Sequence, residues 1–413
     1  MKKILLCLLV ICLAAVYVGC RKNEETGTEN AEIQHKIGVV VFDQDNPELR
    51  MFMNYYREYI EGGFPVQFYF SDEISSADDE IAFIKEMKEQ GVKGIISFYG
   101  LGIQDIVKAC EEEEMYYVLG SGTISEDDFN AVKSNPWFLG TIGPASEEEV
   151  KAGEDMAASF AEQGAKSYLL LSGGAGSANY MHYSRTLGML NSLADKFGLT
   201  YSEEPEVLAA VAENTVIETG NDEISITICP GYFGSGDGDA NLAQALKDGQ
   251  YDAVLGSVGV YPVMDQLIEA EAGYGEDMLI GTIDCFSQEN LDLIQAEDAK
   301  GNSQLNYVKG KYASMVGPAF AALYNAMDGN ADIVKPDGEA FRLEQGFWSA
   351  DGADEYRELY GYTQDIYENA YSCADLMKVI KTFDEDADFD QLKALTEAYD
   401  VESVKERILS QND

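Results

Sequence analysis

Apolar positions along the chain fall into two alternating patterns. "KIGVVVF" (36–42), "PVQFYF" (65–70), "KGIISFYG" (93–100) and "YYVLGSG" (116–122) are short runs dominated by β-branched and aromatic residues. Runs with little polar alternation read as strands buried on both faces, as in a parallel sheet. Between them, "ADDEIAFIKEMKEQG" (77–91) and "GIQDIVKACEEEE" (102–114) carry apolar residues three and four apart, which predicts amphipathic helices. Asn46-Pro47 opens a further helix through about Ile60, since proline suits a first turn. The βαβα order predicts a parallel, doubly wound sheet.

The pattern then restarts. "PWFLGTIGP" (136–144) reads as an extended connector, followed by a helix over about 146–163. "KSYLLLSGG", "ISITICP", "YDAVLGS" and "DMLIGTID" follow as strands, separated by helices over 179–197, 239–248 and 260–271. Two α/β units placed end to end predict two lobes. Ligands of such sheets lie outside the carboxyl ends of the strands, so facing lobes would enclose one.

The N-terminus is of another kind. "MKKILLCLLVICLAAVYVGC" has a basic pair, an apolar run and Gly19-Cys20, which reads as a secretory signal over 1–19. The run from Ile4 to Gly19 is shorter than the roughly 20 residues of a membrane span. A cysteine directly after a small residue resembles the lipobox of bacterial lipoproteins, which implies lipidation of Cys20; Tyr17 stands where that motif usually has an aliphatic residue. Residues 20–35 hold too little apolar surface to order themselves and read as a tether.

Charge narrows the partners. The chain has 74 Asp and Glu against 28 Lys and Arg, a net charge of −46, which becomes −48 once Lys2 and Lys3 leave with the signal. Nucleic-acid and acidic-membrane surfaces need basic patches, so the membrane would be met only through the lipid anchor. Cys110, Cys229, Cys285 and Cys373 are scattered, with neither zinc spacing nor a disulfide framework. No metal or cofactor is expected. "SGGAGSAN" lacks the third glycine of a dinucleotide fingerprint, because Asn179 occupies it. "FDEDADFDQ" places Asp384, Asp386, Asp388 and Asp390 at alternate positions, but Phe389 and Leu395 replace the glycine and glutamate of a calcium loop. No nucleophile elbow or HExxH motif is present, so no enzyme is expected.

The ordered set "KIGVVV…DNPELRMFMNYY", "GVKGIISF", "FLGTIGPASEEEVKAGEDMA", "SRTLGML", "YDAVLGS…DMLIGTIDCF", "MVGPAFAALYNAMDGN" and "FRLEQGFW" resembles the type I periplasmic binding proteins of the ribose- and galactose-binding kind, over roughly 36–350. The resemblance implies an α/β fold of two doubly wound parallel-sheet lobes joined by a three-strand hinge. It implies one lobe of 36–140 plus 287–337 and another of 141–284 plus 342–413, the latter with extra C-terminal helices of unassigned role. It implies a monomeric lipoprotein at the extracellular face of the cell membrane, or in the periplasm, that captures a small polar ligand. The ligand would be a sugar, delivered to an ABC permease. "VLGSVGVYPVMDQ" and "NYVKGKYASMVGPAFAALY" are similar to the nucleoside-binding basic membrane protein branch, which keeps a nucleoside open as an alternative, as is a sensor feeding a signalling receptor.

The candidate ligand contacts follow from that resemblance. Phe42, Asp43 and Asn46 lie in the loop after the first strand; Asp43 reads equally as a helix cap. Tyr99 ends the third strand, and Tyr232 follows a strand of the second unit. Asp284 matches a hydroxyl-binding aspartate at the second crossover or a hinge hydrogen bond, and Lys311 falls near a polar contact of the relatives. Val258–Tyr261 stand where sugar-binding relatives often carry Asn-Asp. Arg185 is the single arginine between Arg57 and Arg342, and His182 the single histidine after His35. Three residues apart on a helix, they share a face. The relatives' Arg-x-x-Gly implies that Arg185 faces the cleft, where its planar fork could hold two hydroxyls or a carboxylate.

Overall fold

The computed structural model describes residues 33–122, 124–177, 179–234, 236–364 and 370–412; the signal, Cys20 and most of the tether lie outside them. In the first unit the strands are β1 (His35–Val40), β2 (Val66–Phe70), β3 (Gly94–Ser97), β4 (Tyr116–Gly120) and β5 (Phe138–Gly143). The second carries β6 (Ser167–Gly173), β7 (Thr215–Ile217), β8 (Ser225–Pro230), β9 (Ala253–Gly256), β10 (Leu279–Cys285) and β11 (Tyr307–Lys311). β12 (Phe341–Glu344) and β13 (Trp348–Asp351) follow late in the chain.

They form two sheets, ordered β12-β5-β4-β3-β1-β2 and β13-β11-β10-β9-β6-β8-β7. The first is parallel throughout. The second is parallel at its centre and antiparallel at both edges, where β7 meets β8 and β13 meets β11. The uninterrupted apolar runs are explained by helices on both faces. Ile37 and Val39 pack on one side of the first sheet and Val40 on the other. The sequence region "PWFLGTIGP" is strand rather than connector over Phe138–Gly143.

The chain crosses between sheets three times. It leaves β5 for the Ser146–Glu162 helix, leaves β11 through Tyr312 for the Gly317–Met327 helix, and runs from β12 to β13 through Gln345–Phe347. The lobe boundaries differ from those expected. β11 pairs with β10, so residues 307–311 belong to the second sheet rather than to a 287–337 segment of the first. β12 pairs with β5, so residues 341–344 belong to the first sheet. The physical reason lies in "NYVKGKY": its lysines conceal a buried strand, because each is neutralised by a carboxylate, Lys309 by Asp155 and Lys311 by Glu48.

The C-terminal helices also differ from expectation. Cys373–Lys378 and Phe389–Glu397 pack against the Gly317–Met327 helix of the first lobe. Asn325 on that helix donates to the carbonyl of Val379 at 2.9 Å and accepts from the Lys381 amide at 2.8 Å. Among the described residues no helix is long and apolar enough to cross a membrane.

Candidate functional site

Polar side chains from both lobes meet beside the second crossover. In the first lobe, the loop after β1 is shaped by short side-chain bonds. Asp43 is exposed and accepts the Asp45 amide at 2.8 Å. Asn46 caps the Pro47–Asn54 helix, accepting the amides of Glu48 and Leu49 at 3.0 and 3.2 Å. The cap role considered for Asp43 thus belongs to Asn46, whose oxygen is engaged with the backbone. The cap sets Glu48 in the first turn, where its carboxylate accepts from Lys311 Nζ at 2.9 Å.

Lys311 ends β11 and is 3% exposed. Its ammonium also donates to the Ser121 carbonyl at 3.0 Å, in the loop after β4. The lysine therefore joins the second sheet to two elements of the first lobe. Arg50 pairs with Glu289 on the opposite lobe in a second, more exposed bridge. Lys311 is a strut between lobes in this geometry, not a free ammonium.

Asp284 lies near the end of β10, half-buried, and accepts from Asn290 Nδ2 at 2.8 Å. Burial pushes its carboxyl up to about 6; the Asn290 bond opposes this, Glu48 adds to it, and Arg185 and Lys311 oppose it. The Tyr261 hydroxyl is raised by burial first, then by Asp284, Cys285, Asp43 and Glu289. Asp43 of one lobe and Asp284 and Glu289 of the other therefore all lie within electrostatic reach of Tyr261.

His182 and Arg185 both lie on the Tyr180–Phe197 helix, and both are buried. The imidazole Nδ1 accepts the Gly174 amide at 2.9 Å, which fixes the neutral tautomer with the proton on Nε2. Burial, then Arg185 and Lys311, hold its pKa down to about 3. Its ring meets Tyr232 edge-on at 5.7 Å. Tyr232 is 51% exposed and accepts from Asn179 Nδ2 at 3.1 Å. His182 is thus a neutral donor beside an open aromatic face.

Arg185 differs from expectation. Its Nε donates to Glu149 at 2.6 Å, and Nη1 donates to the carbonyls of Ser257 at 2.9 Å and Ile283 at 3.2 Å. The guanidinium stands 5.5 Å from the Phe347 ring, at the third crossover. Asp43 and Asp284 are not its direct partners. A full charge can be buried only with a partner, and Glu149 supplies it from the adjacent helix. Arg185 therefore fixes the ends of β9 and β10 and presents at most one edge of its fork to a ligand.

The structure brings Asp43, His182, Arg185, Tyr232, Asp284 and Lys311 to one region. Asn46 stands at its border, and Phe42 packs half-buried against the core beneath it. Tyr99 is not brought there. It packs against the cluster of Val40, Phe83 and Ile84 on another face of the first sheet, and burial followed by Glu80 and Asp79 raises its hydroxyl. Glu48, Glu149, Tyr261 and Asn290 were missed by sequence reasoning. Glu149 carried a signal, since it shares helical phase with Gly153, Met156 and Phe160, all buried. Asn290 and Glu48 carried none, because each sits in a first turn where polar residues are ordinary.

A cavity of about 360 Å³ opens at another edge of the interlobe space, lined in part by Thr141, Ser146, Tyr180 and Arg342. Of the acidic groups, Glu271, Asp277 and Asp298 converge within 4.8 Å, with Lys300 already on Asp277 at 2.7 Å. In the Asp384–Asp390 stretch, Asp384 accepts the Asp386 amide and Asp388 caps the Phe389–Glu397 helix reciprocally with Gln391.

No family model matches the chain, and no curated protein matches it in sequence. Solved structures do match. A galactofuranose binding protein superposes with a TM-score of 0.57 at 15% identity, covering 80% of this chain and 99% of its own. An ABC transporter periplasmic solute binding protein from Actinobacillus succinogenes, with bound D-allose, gives 0.57 at 10% identity over 79% of this chain and 100% of its own. A solute binding protein from Bacillus halodurans, with bound myo-inositol, gives 0.56 at 14% identity over 81% and 99%. With its two sheets and three crossovers, the chain has the type I periplasmic binding protein fold.

Proposed function

We propose that the chain is an extracytoplasmic solute-binding lipoprotein that captures a small polar ligand, a sugar, between its two lobes and hands it to an ABC importer. The observation that carries this reading is that both lobes contribute polar groups beside a crossover: Asp43 of one and Asp284 of the other both act on Tyr261, Glu48 holds Lys311 across the lobes, and His182 meets Tyr232 edge-on. Carboxylates accept from hydroxyls, the neutral imidazole donates to them, and an exposed tyrosine ring covers an apolar sugar face. The fold, shared with proteins solved with D-allose and myo-inositol, supports the same class of ligand. Anchoring through Cys20, a permease partner, a monomeric state and the lack of any catalytic step belong to the same proposal.

Thermal-shift screening of the mature protein against aldopentoses, aldohexoses, their furanose-forming isomers, inositols and nucleosides tests it. A ligand at 100 times its dissociation constant adds about 2.7 kcal/mol of stability and raises the melting temperature. A shift with sugars or inositols is expected. A shift confined to nucleosides would replace the sugar with a stacked base, and no shift with any member would contradict the proposal.

A further inference from the structure

The segment 370–412 touches both lobes at once. Its attachments to the first lobe are numerous. The Tyr55 hydroxyl donates to the Tyr371 carbonyl at 2.8 Å, and the Cys373 amide donates to the Tyr59 hydroxyl at 2.9 Å. Both tyrosines ride on Tyr55–Ile60, a π-helical stretch whose widened turn sets their side chains toward the segment. Asn325 holds Val379 and Lys381 from the Gly317–Met327 helix. Its attachments to the second lobe are fewer. The indole nitrogen of Trp348, on β13, donates to the Tyr399 carbonyl at 2.8 Å, and Lys405 pairs with Glu358 on the Ala353–Gln364 helix.

Between these anchors the segment covers two of the three crossovers. At the second, the Tyr371 amide donates to Ser314 Oγ at 3.2 Å, and Tyr312 stacks on Trp348 at 4.0 Å with planes 8° apart. At the third, Gln345 Nε2 donates to the Tyr371 hydroxyl at 3.3 Å. Gly346 is required beside it, because a Cβ there would enter the Tyr399 ring. Arg407 braces the segment from within, 5.1 Å from the Tyr371 ring and donating to the carbonyls of Ala398 and Ala370. The solved structures described above are covered to 99–100% by about four-fifths of this chain, so their fold is complete with fewer residues.

Hinge motion changes backbone angles at the crossovers and moves Trp348 relative to Tyr55 and Asn325. One segment holds all three. We propose that residues 370–412 form a strap over the hinge, which limits lobe opening until the Tyr399 contacts release. The proposal concerns the hinge alone and stands independently of which ligand the cleft takes.

Hydrogen–deuterium exchange on the mature protein tests it, with small-angle scattering on the same samples. The comparison is wild type against the double variant Tyr399→Ala/Arg407→Ala. Exchange at 312–316 and 345–348 is expected to rise about tenfold as Arg407 loses its bonds to Ala370 and Ala398 and the Tyr399 ring leaves Gly346, while β6 and β8 keep wild-type protection. The radius of gyration is expected to increase. Wild-type exchange at both crossovers with an unchanged radius would overturn the strap. If the double variant loses its fold by circular dichroism, Trp348→Phe carries the same test. It removes only the indole N–H and keeps the ring on Tyr312, so faster crossover exchange supports the strap and unchanged exchange overturns it.

Discussion

Arg185 and Glu149 have side-chain exposures of 5% and 0%, so each charge depends on the other. Removing one partner of such a pair leaves a buried, unpaired ion and costs roughly 3–5 kcal/mol. Arg185→Ala should therefore lower the melting temperature of the protein in the absence of any sugar. A wild-type melting curve would show that the pair contributes nothing to the fold. Arg185→Lys should recover little, since one ammonium cannot reach Glu149, Ser257 and Ile283 in the geometry of the planar fork. The residue's importance was legible in the sequence as a lone mid-chain guanidinium. Its partner was legible only through helical phase, because Glu149 closes a run of three glutamates and shares a face with the buried Gly153 and Met156.

Two groups near the second crossover, His182 and Asp284, give opposite pH signatures. His182 has its folded pKa lowered from 6.5 to about 3, so it favours the folded state above 6.5 and loses that contribution as pH falls toward 3. Asp284 has its folded pKa raised from 3.8 to about 6, so its contribution is full below 3.8 and is lost as pH rises through 6. Between pH 6.5 and 4 the two partly cancel. His182→Gln should flatten the loss of melting temperature over that window, and Asp284→Asn should steepen it. Parallel curves for wild type and both variants would contradict these assignments.

At the scale of elements, the second half of the Arg-x-x-Gly pattern gains its meaning from two helices. The Ser146–Glu162 and Tyr180–Phe197 helices pack backbone to backbone at Gly153 and Gly188. A Cβ on Gly188 would collide with the Val150 carbonyl, and one on Gly153 with the Arg185 carbonyl. Gly188→Ala should force the helices apart, costing at least the ~1–3 kcal/mol of an overpacked core, and should loosen the Arg185–Glu149 bond between them. Denaturant unfolding measures the cost; an unchanged midpoint would mean that the helices have room to give. The central strands of both sheets were legible because burial on two faces demands continuous apolar runs. β7 and β13 were not, being three- and four-residue edge strands with exposed alternate positions. β11 was hidden by lysines that only tertiary partners neutralise.

At the scale of the molecule, the lobes are joined by three crossovers and bridged near the cleft by Lys311–Glu48 and Arg50–Glu289. The bilobal plan could be read from the order of strands and helices. The precise ligand contacts could not, because several polar residues expected to face a ligand act as caps and struts within the protein. The proposed ligand contacts are Asp43 on one lobe and Asp284, His182 and Tyr232 on the other. A ligand gripped from both sides should depend on both lobes for affinity. Isothermal titration of the sugar selected by thermal shift into wild type, Asp43→Asn and Asp284→Asn tests this most directly. Each substitution should weaken binding by roughly 10- to 150-fold, the loss of about 1.5–3 kcal/mol for a hydrogen bond to a charged group. Wild-type affinity in both variants would contradict a ligand held between the two lobes at this site.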